Sequence, residues 1–132
     1  MLNLKKLLTQ IINKLNDLIA LKTLSISKVI SSTYMTDTQF SGIKAYKKNG
    51  MLYLSFNAEF TNAGYNSYPN STTIGKISGW DAAWSALANI PRQTDGSKIV
   101  TLFVKKNGEI QVYSTAPISG WHRTSICVPC SS

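Results

Sequence analysis

Charge is scarce in this chain. Of its 132 residues only 15% are charged, six are acidic and one is histidine. That set is poor in the groups that move protons or hold metal ions. The carboxylates Asp17, Asp37, Glu59, Asp81, Asp95 and Glu109 are scattered, and no pair carries a glycosidase signature. His122 has Ser119 and Ser125 near it, but no nucleophile-elbow motif accompanies them. It reads as a loop or strand-edge histidine. Cysteine is confined to Cys127 and Cys130, a CxxC at the end of the chain. A metal site would need two more ligands, and His122 is the one further His or Cys. On a continuous strand the two thiols point to opposite faces, so a disulfide would need a tight turn at Pro129. The expected arrangement is a buried Cys127 and a terminal Cys130, both reduced in a cytoplasm. No catalytic residue, metal or cofactor is expected, and the chain reads as a non-enzyme.

Long apolar runs are also missing. No segment approaches the ~20 residues of a membrane-spanning helix. Gln10, Asn13, Lys14, Asn16 and Asp17 interrupt the leucines near the N-terminus, and no small-residue cleavage site follows promptly. The segment reads as a retained helix, made in the cytoplasm without a signal peptide and not inserted in a membrane. Net charge is +8, which points towards an acidic partner. The lysines are spread out, however, with no arginine cluster and no nucleic-acid motif, so nucleic acid is not expected.

What is present begins with a heptad. Leu4, Leu8, Ile11, Leu15 and Leu18 follow a 4-3-4-3 spacing through roughly three heptads. Leu7, Ile12, Ile19 and Leu21 widen the stripe beyond what a two-stranded seam needs. The stripe predicts three or more strands, or a helix lying on a globular body. An isolated helix of this length is marginal in water, so it needs partners.

Beyond Lys22 the period changes to two. Residues 24–30 alternate as a strand, and residues 34–39 read as a loop. Residues 40–61 form a hairpin around Asn49-Gly50. On it Ile43, Ala45, Leu52, Leu54 and Phe56 share a dry face, and Lys44, Tyr46, Lys48, Met51, Tyr53 and Ser55 share a wet one. Residues 62–71, rich in turn formers, predict an exposed loop with Tyr65 and Tyr68. Residues 72–77 are a short strand. Residues 81–88 suit either a helix capped by Asp81 or a strand. Residues 91–96 are a loop, and residues 124–128 close the chain as a strand.

Residues 99–114 carry a second hairpin, again around Asn-Gly. A two-residue turn at Asn107-Gly108 would set Phe103 against Val112 and Leu102 against Tyr113. Phe103, Ile110 and Val112 would then share one face, and Val100, Leu102, Val104 and Tyr113 the other. Both faces would be apolar, so the second needs a further layer or another subunit. About eight short strands with turns between them predict an antiparallel β-sandwich. The length allows one domain with a real core, divided as helix 1–24 and body 25–132.

The order of features in the second half resembles a known family. An alanine-rich stretch ends in Leu87-Ala-Asn-Ile-Pro91. An apolar strand, Asn107-Gly108 and Glu109-Ile-Gln-Val-Tyr113 follow, then Ser119-Gly-Trp121 and Ser125-Ile-Cys-Val128. Over residues 43–128 this resembles the C-terminal receptor-binding head domains of tailed-bacteriophage tail fibres and baseplate proteins. Arg92 follows Pro91 directly, where many relatives carry Arg-Pro a little later.

The resemblance implies a homotrimer with a jelly-roll or TNF-like head on a coiled-coil stalk. It implies a place in the virion tail, acting outside the host cell. The partner it implies is a host cell-surface polysaccharide or teichoic acid. Leu4, Leu8, Ile11, Leu15 and Leu18 would form the stalk, and Val100, Leu102, Val104 and Tyr113 would meet on the threefold axis. Trp84 and Trp121 are assigned to the core. Tyr65, Tyr68, Trp80 and Arg92 are the expected glycan-binding residues, since exposed aromatics stack on sugar rings. Alternatives are a bacterial TNF-like or lectin-like trimer, or a tail spacer without a receptor site.

Overall fold

Asn49 and Gly50 adopt φ of 53° and 72°, the two successive left-handed residues of a two-residue type I′ loop. Lys48 therefore faces Met51, and strands β3 (Lys44–Lys48) and β4 (Met51–Phe60) run on in register. Burial alternates as expected. Ile43, Ala45, Leu52, Leu54, Phe56, Ala58 and Phe60 are buried, while Lys44, Lys48, Tyr53 and Ser55 are exposed.

The computed structural model describes residues 3–61, 72–96, 98–114 and 118–131. The remaining elements are α1 (Leu4–Ile19), β1 (Lys22–Leu24), β2 (Ile26–Lys28), α2 (Asp37–Phe40), β5 (Thr72–Ile77), β6 (Ala86–Pro91), β7 (Ile99–Val104), β8 (Glu109–Tyr113) and β9 (Gly120–Pro129). The chain is mainly β. One antiparallel sheet has the order β1-β3-β4-β9 and the other β2-β5-β8-β7-β6. Their inward faces meet in a sandwich-like core built from residues such as Leu54, Phe56, Ile74, Leu102 and Ile110.

The strand expected over 24–30 is divided between the two sheets. Leu24 pairs with Ala45 in one, and Ile26 pairs with Ile77 in the other. Ser25 lies at the break, its carbonyl accepting from the Ser78 N–H at 2.8 Å. One segment thus serves as an edge of both sheets and closes that side of the sandwich. On the opposite side, single bridges join Arg92 to His122 and Ala82 to Cys130. The β body already includes Lys22, ahead of the boundary expected at residue 25.

Residues 81–88 resolve as extended chain leading into β6. The Ala82 N–H donates to the Lys106 carbonyl at 3.2 Å and the Ala83 N–H to the Pro129 carbonyl at 2.9 Å. Those partners hold the segment against two other elements, which a local helix could not reach. Conversely, α2 lies where a loop was expected. Thr36 and Gln39 form a capping box there, with Gln39 N–H to Thr36 Oγ1 at 3.3 Å and Thr36 N–H to Gln39 Oε1 at 2.9 Å.

The second hairpin corrects the expected register. The Lys105 N–H donates to the Glu109 carbonyl and the Gly108 N–H to the Lys105 carbonyl, each at 2.9 Å. The loop therefore has three residues, Lys106, Asn107 and Gly108, and only Gly108 (φ 94°) is left-handed. Leu102 faces Val112, Val104 faces Ile110 and Thr101 faces Tyr113. A one-residue slip carries every side chain of a strand to the other face. Val100, Leu102 and Val104 consequently join Ile110 and Val112 in the core, fully buried, and are not on the outer, axis-facing surface assigned to them. Tyr113 stays on the outer face, half-buried.

Tertiary contacts select this loop. Ile77 N–H donates to the Gly108 carbonyl at 2.8 Å, and a Cβ on Gly108 would sit 2.3 Å from the Ile77 carbonyl oxygen. Asn107 Oδ1 accepts from the Glu109 N–H at 3.1 Å, and Lys105 pairs with Glu109 at 3.3 Å.

Candidate functional site

Of the four residues expected to bind a ligand, the structure describes Trp80 and Arg92. Tyr65 and Tyr68 lie outside the described residues. Trp80, expected on the surface, is 3% exposed and belongs to the core beside Gly108. Arg92 is half-buried and anchored. Its Nε donates to Asp95 Oδ1 at 3.0 Å, a second nitrogen reaches Asp95 Oδ2, and a third donates to Ser119 Oγ at 3.3 Å. Hydrogen bonding to Asp95 raises the Arg92 pKa above the ordinary arginine value; burial opposes the shift, and the charge of Asp95 reinforces it.

His122 fastens the same region from within. It lies on β9, an edge strand of its sheet, and is fully buried. Its Nε2 lies 2.9 Å from the Lys98 carbonyl and its Nδ1 3.2 Å from the Gly120 carbonyl. Its ring meets Phe60 edge-on at 5.2 Å. Both nitrogens thus face main-chain oxygens, and neither activates a hydroxyl. The Arg92 N–H also donates to the Lys98 carbonyl at 2.9 Å, and the Gln93 N–H to the Trp121 carbonyl at 2.8 Å. Arg92, Asp95 and His122 together clamp the β6–β7 loop onto β9, which is structural work.

Two other placements reverse expectation. Trp84, assigned to the core, is 55% exposed, while Trp121 is half-buried. Cys127, assigned to the interior, is exposed on the outer face of β9; Cys130 is half-buried, and both thiols are free. Among the described residues no three His, Cys, Asp or Glu side chains gather as a metal site.

The sequence matches no protein-family model, and no curated protein or solved structure is significantly similar to it.

Two surfaces bearing leucine and isoleucine are left uncovered by the described residues. The first is α1. Asn3 caps it, its Oδ1 accepting from the Lys6 N–H at 3.1 Å. Its seam residues Leu4, Leu8, Ile11 and Leu15 are all exposed, as are the flanking Leu7 and Ile12. Leu18 lies within α1, but its side chain is outside the described residues.

The second surface is the outer face of the five-stranded sheet. Register sets Thr73, Gln111, Phe103 and Leu87 in one row, Tyr113, Thr101 and Asn89 in the next, and Ile99 with Pro91 beyond. Leu87 and Ile99 are exposed, and Phe103 and Tyr113 half-buried. The polar residues bond to one another: Thr101 Oγ1 to Asn89 Oδ1 at 2.9 Å, Gln111 Nε2 to Thr73 Oγ1 at 3.3 Å. These three rows hold no charged side chain. The charged row, Lys76 with Glu109, lies at the far end. In a chain of net charge +8 such a face is where copies can approach with least repulsion.

Proposed function

We propose that the chain is the receptor-binding head of a tailed-bacteriophage tail fibre or baseplate protein. It acts as a homotrimer with a jelly-roll or TNF-like head. It adheres to a host cell-surface polysaccharide or teichoic acid without catalysis. The observation that carries this reading is the uncovered heptad stripe of α1, joined directly to a β-sandwich-like body. A lone helix of 16 residues is marginal in water, and each Leu or Ile withdrawn from water contributes roughly 1.5–3 kcal/mol. Three such helices side by side bury the wide stripe, including Leu7 and Ile12. The charge-free outer sheet face, with Leu87, Ile99, Phe103 and Tyr113, supplies a second contact between heads.

The burial of Trp80 and the anchoring of Arg92 favour, as the second reading, a trimeric tail spacer without a receptor site. Light scattering coupled to gel filtration tests the assembly: three times the 14.5 kDa chain mass is expected, and a monomer at every concentration overturns it. Adsorption of the trimer to host cells or purified cell-wall polymer separates adhesion from a spacer.

A further inference from the structure

The outer face of the four-stranded sheet differs from that of the other sheet. Register sets Thr23, Tyr46, Tyr53 and Cys127 in one row across all four strands. Their neighbours along the strands, such as Ala45, Leu52, Leu54 and Val128, are buried in the core, so the row points outwards. Tyr53 is 39% exposed and Tyr46 half-buried. The two stand directly opposite each other, which puts their Cβ atoms about 5 Å apart. Lys44, Ser55 and Ser125 form the flanking row on one side, and Lys48 lies on the other; all four are exposed. Arg123, also exposed, follows beyond Ser125 on the same face. The strands of this face carry these three cations against one carboxylate, Glu59, whose Oε1 accepts from Gln39 Nε2 at 2.9 Å. Among the described residues the ion pairs are Lys28–Asp37, Arg92–Asp95 and Lys105–Glu109, and none involves the three cations.

The tyrosine row also has a concave end. β1 pairs with β3 from Lys22 to Leu24, and Ser25 then carries the chain into the other sheet, so no strand lies beside Lys44 on that side. A cavity of about 330 Å³ opens at this gap, lined by Thr23, Lys44 and Tyr46 together with Leu24, Phe40 and Ser41. Its size is at the lower end of the ~300–1,000 Å³ of small-ligand pockets, and it shares their mixture of apolar walls and a few polar groups.

We infer that this face and its cavity bind a phosphate-bearing glycan, a polymer in which sugar rings alternate with phosphodiesters. The inference rests on the adhesion reading and gives it a site. In the proposed trimer the heads meet through the other sheet, which leaves this face outermost. Tyrosine offers a ring face to sugar C–H groups and an O–H to sugar hydroxyls. The hydroxyls of Thr23, Ser55 and Ser125 can each donate and accept. Lysine meets phosphate as a compact point charge, whereas planar carboxylates suit the arginine fork. Lys44 and Lys48 are about 13 Å apart along β3. That spacing suits charges separated by sugar rings, not the charge on every nucleotide of a nucleic acid.

The test is calorimetric titration of the full chain with glucosylated poly(glycerol phosphate). Unsubstituted poly(glycerol phosphate), polygalacturonate, dextran and single-stranded oligo(dT) are titrated beside it. Saturable binding is expected to the glucosylated polymer, tighter than to any of the other four. Tyr53→Ala should weaken it about tenfold, through loss of one ring's contact. Lys48→Gln should weaken it and flatten its salt dependence, and Lys106→Gln, on a loop of the other sheet, should leave it unchanged. Ser55→Glu adds an anion at an exposed position without removing packing, and should abolish binding at an unchanged melting temperature. Binding that survives both Tyr53→Ala and Ser55→Glu overturns the site and leaves the adhesion reading standing. A chain that binds none of the polymers and does not adsorb to host cells overturns both. Equal or tighter binding of polygalacturonate, dextran or oligo(dT) overturns the assigned ligand.

Discussion

Gly50 and Gly108 each end a Lys-Lys-Asn-Gly run, yet they tolerate a side chain differently. No atom lies within 4 Å of a Cβ built on Gly50, so Gly50→Ala carries only the strain of positive φ, about 1 kcal/mol. On Gly108 the same Cβ meets the Ile77 carbonyl at 2.3 Å and Trp80 Cβ at 3.0 Å. Gly108→Ala should therefore cost about 3 kcal/mol or more, through strain and the loss of the Ile77–Gly108 hydrogen bond. Urea denaturation of the two variants measures the difference, and equal losses would contradict the two loop types. His122→Ala empties a fully buried site and removes the ring N–H that lies among the Lys98 and Gly120 carbonyls. Its expected loss is about 3 kcal/mol; a change below ~0.5 kcal/mol in the same assay would remove His122 from the loop clamp. The Arg92 pKa is raised in the folded state, so the arginine's own contribution to stability is fully present below its ordinary value and is lost only in strong alkali.

At the scale of elements, α1 and the sandwich depend on different partners. The helix exposes its seam, whereas the sheets bury theirs against each other. Leu8→Asp and Leu15→Asp place charge in the seam and leave the β core untouched. The expected outcome is a fall in mass by light scattering with the thermal unfolding of the β body preserved. Loss of the folded body in either variant would mean that α1 packs on its own sandwich. The capping box at Thr36 and Gln39 is an element-scale device too, since it turns the chain so that Phe40 enters the core.

For the whole molecule the distribution of charge decides how copies can meet. Lys22, Lys44, Lys47 and Lys48 crowd the four-stranded sheet, and the three central rows of the other sheet's outer face carry no charge. Phe103→Asp or Leu87→Asp puts an anion there without disturbing the interior, as both side chains point away from it. Each variant is expected to weaken association of the heads, measured by sedimentation of a chain lacking residues 1–20, while circular dichroism stays unchanged. An unaltered equilibrium would leave α1 as the sole self-association element.

Local rules account for what the sequence determined by itself. Period-two alternation from Ile43 to Phe60 needs only the pleat of a strand. The I′ loop at Asn49-Gly50 needs only residues tolerant of positive φ. The stripe from Leu4 to Leu15 needs only the helical repeat. Tertiary structure decided the rest. The second Lys-Lys-Asn-Gly run forms a three-residue loop because the Ile77 N–H donates to the Gly108 carbonyl, and that one-residue change sends Val100, Leu102 and Val104 inside. Trp80 and Trp84 exchange their expected places, since burial depends on which sheet a segment reaches rather than on its neighbours in sequence. The opposition of Lys22 and Lys47 belongs to the same class. Two lysines distant in sequence come to face each other only when β1 and β3 pair in register, and no local pattern in either segment encodes that encounter.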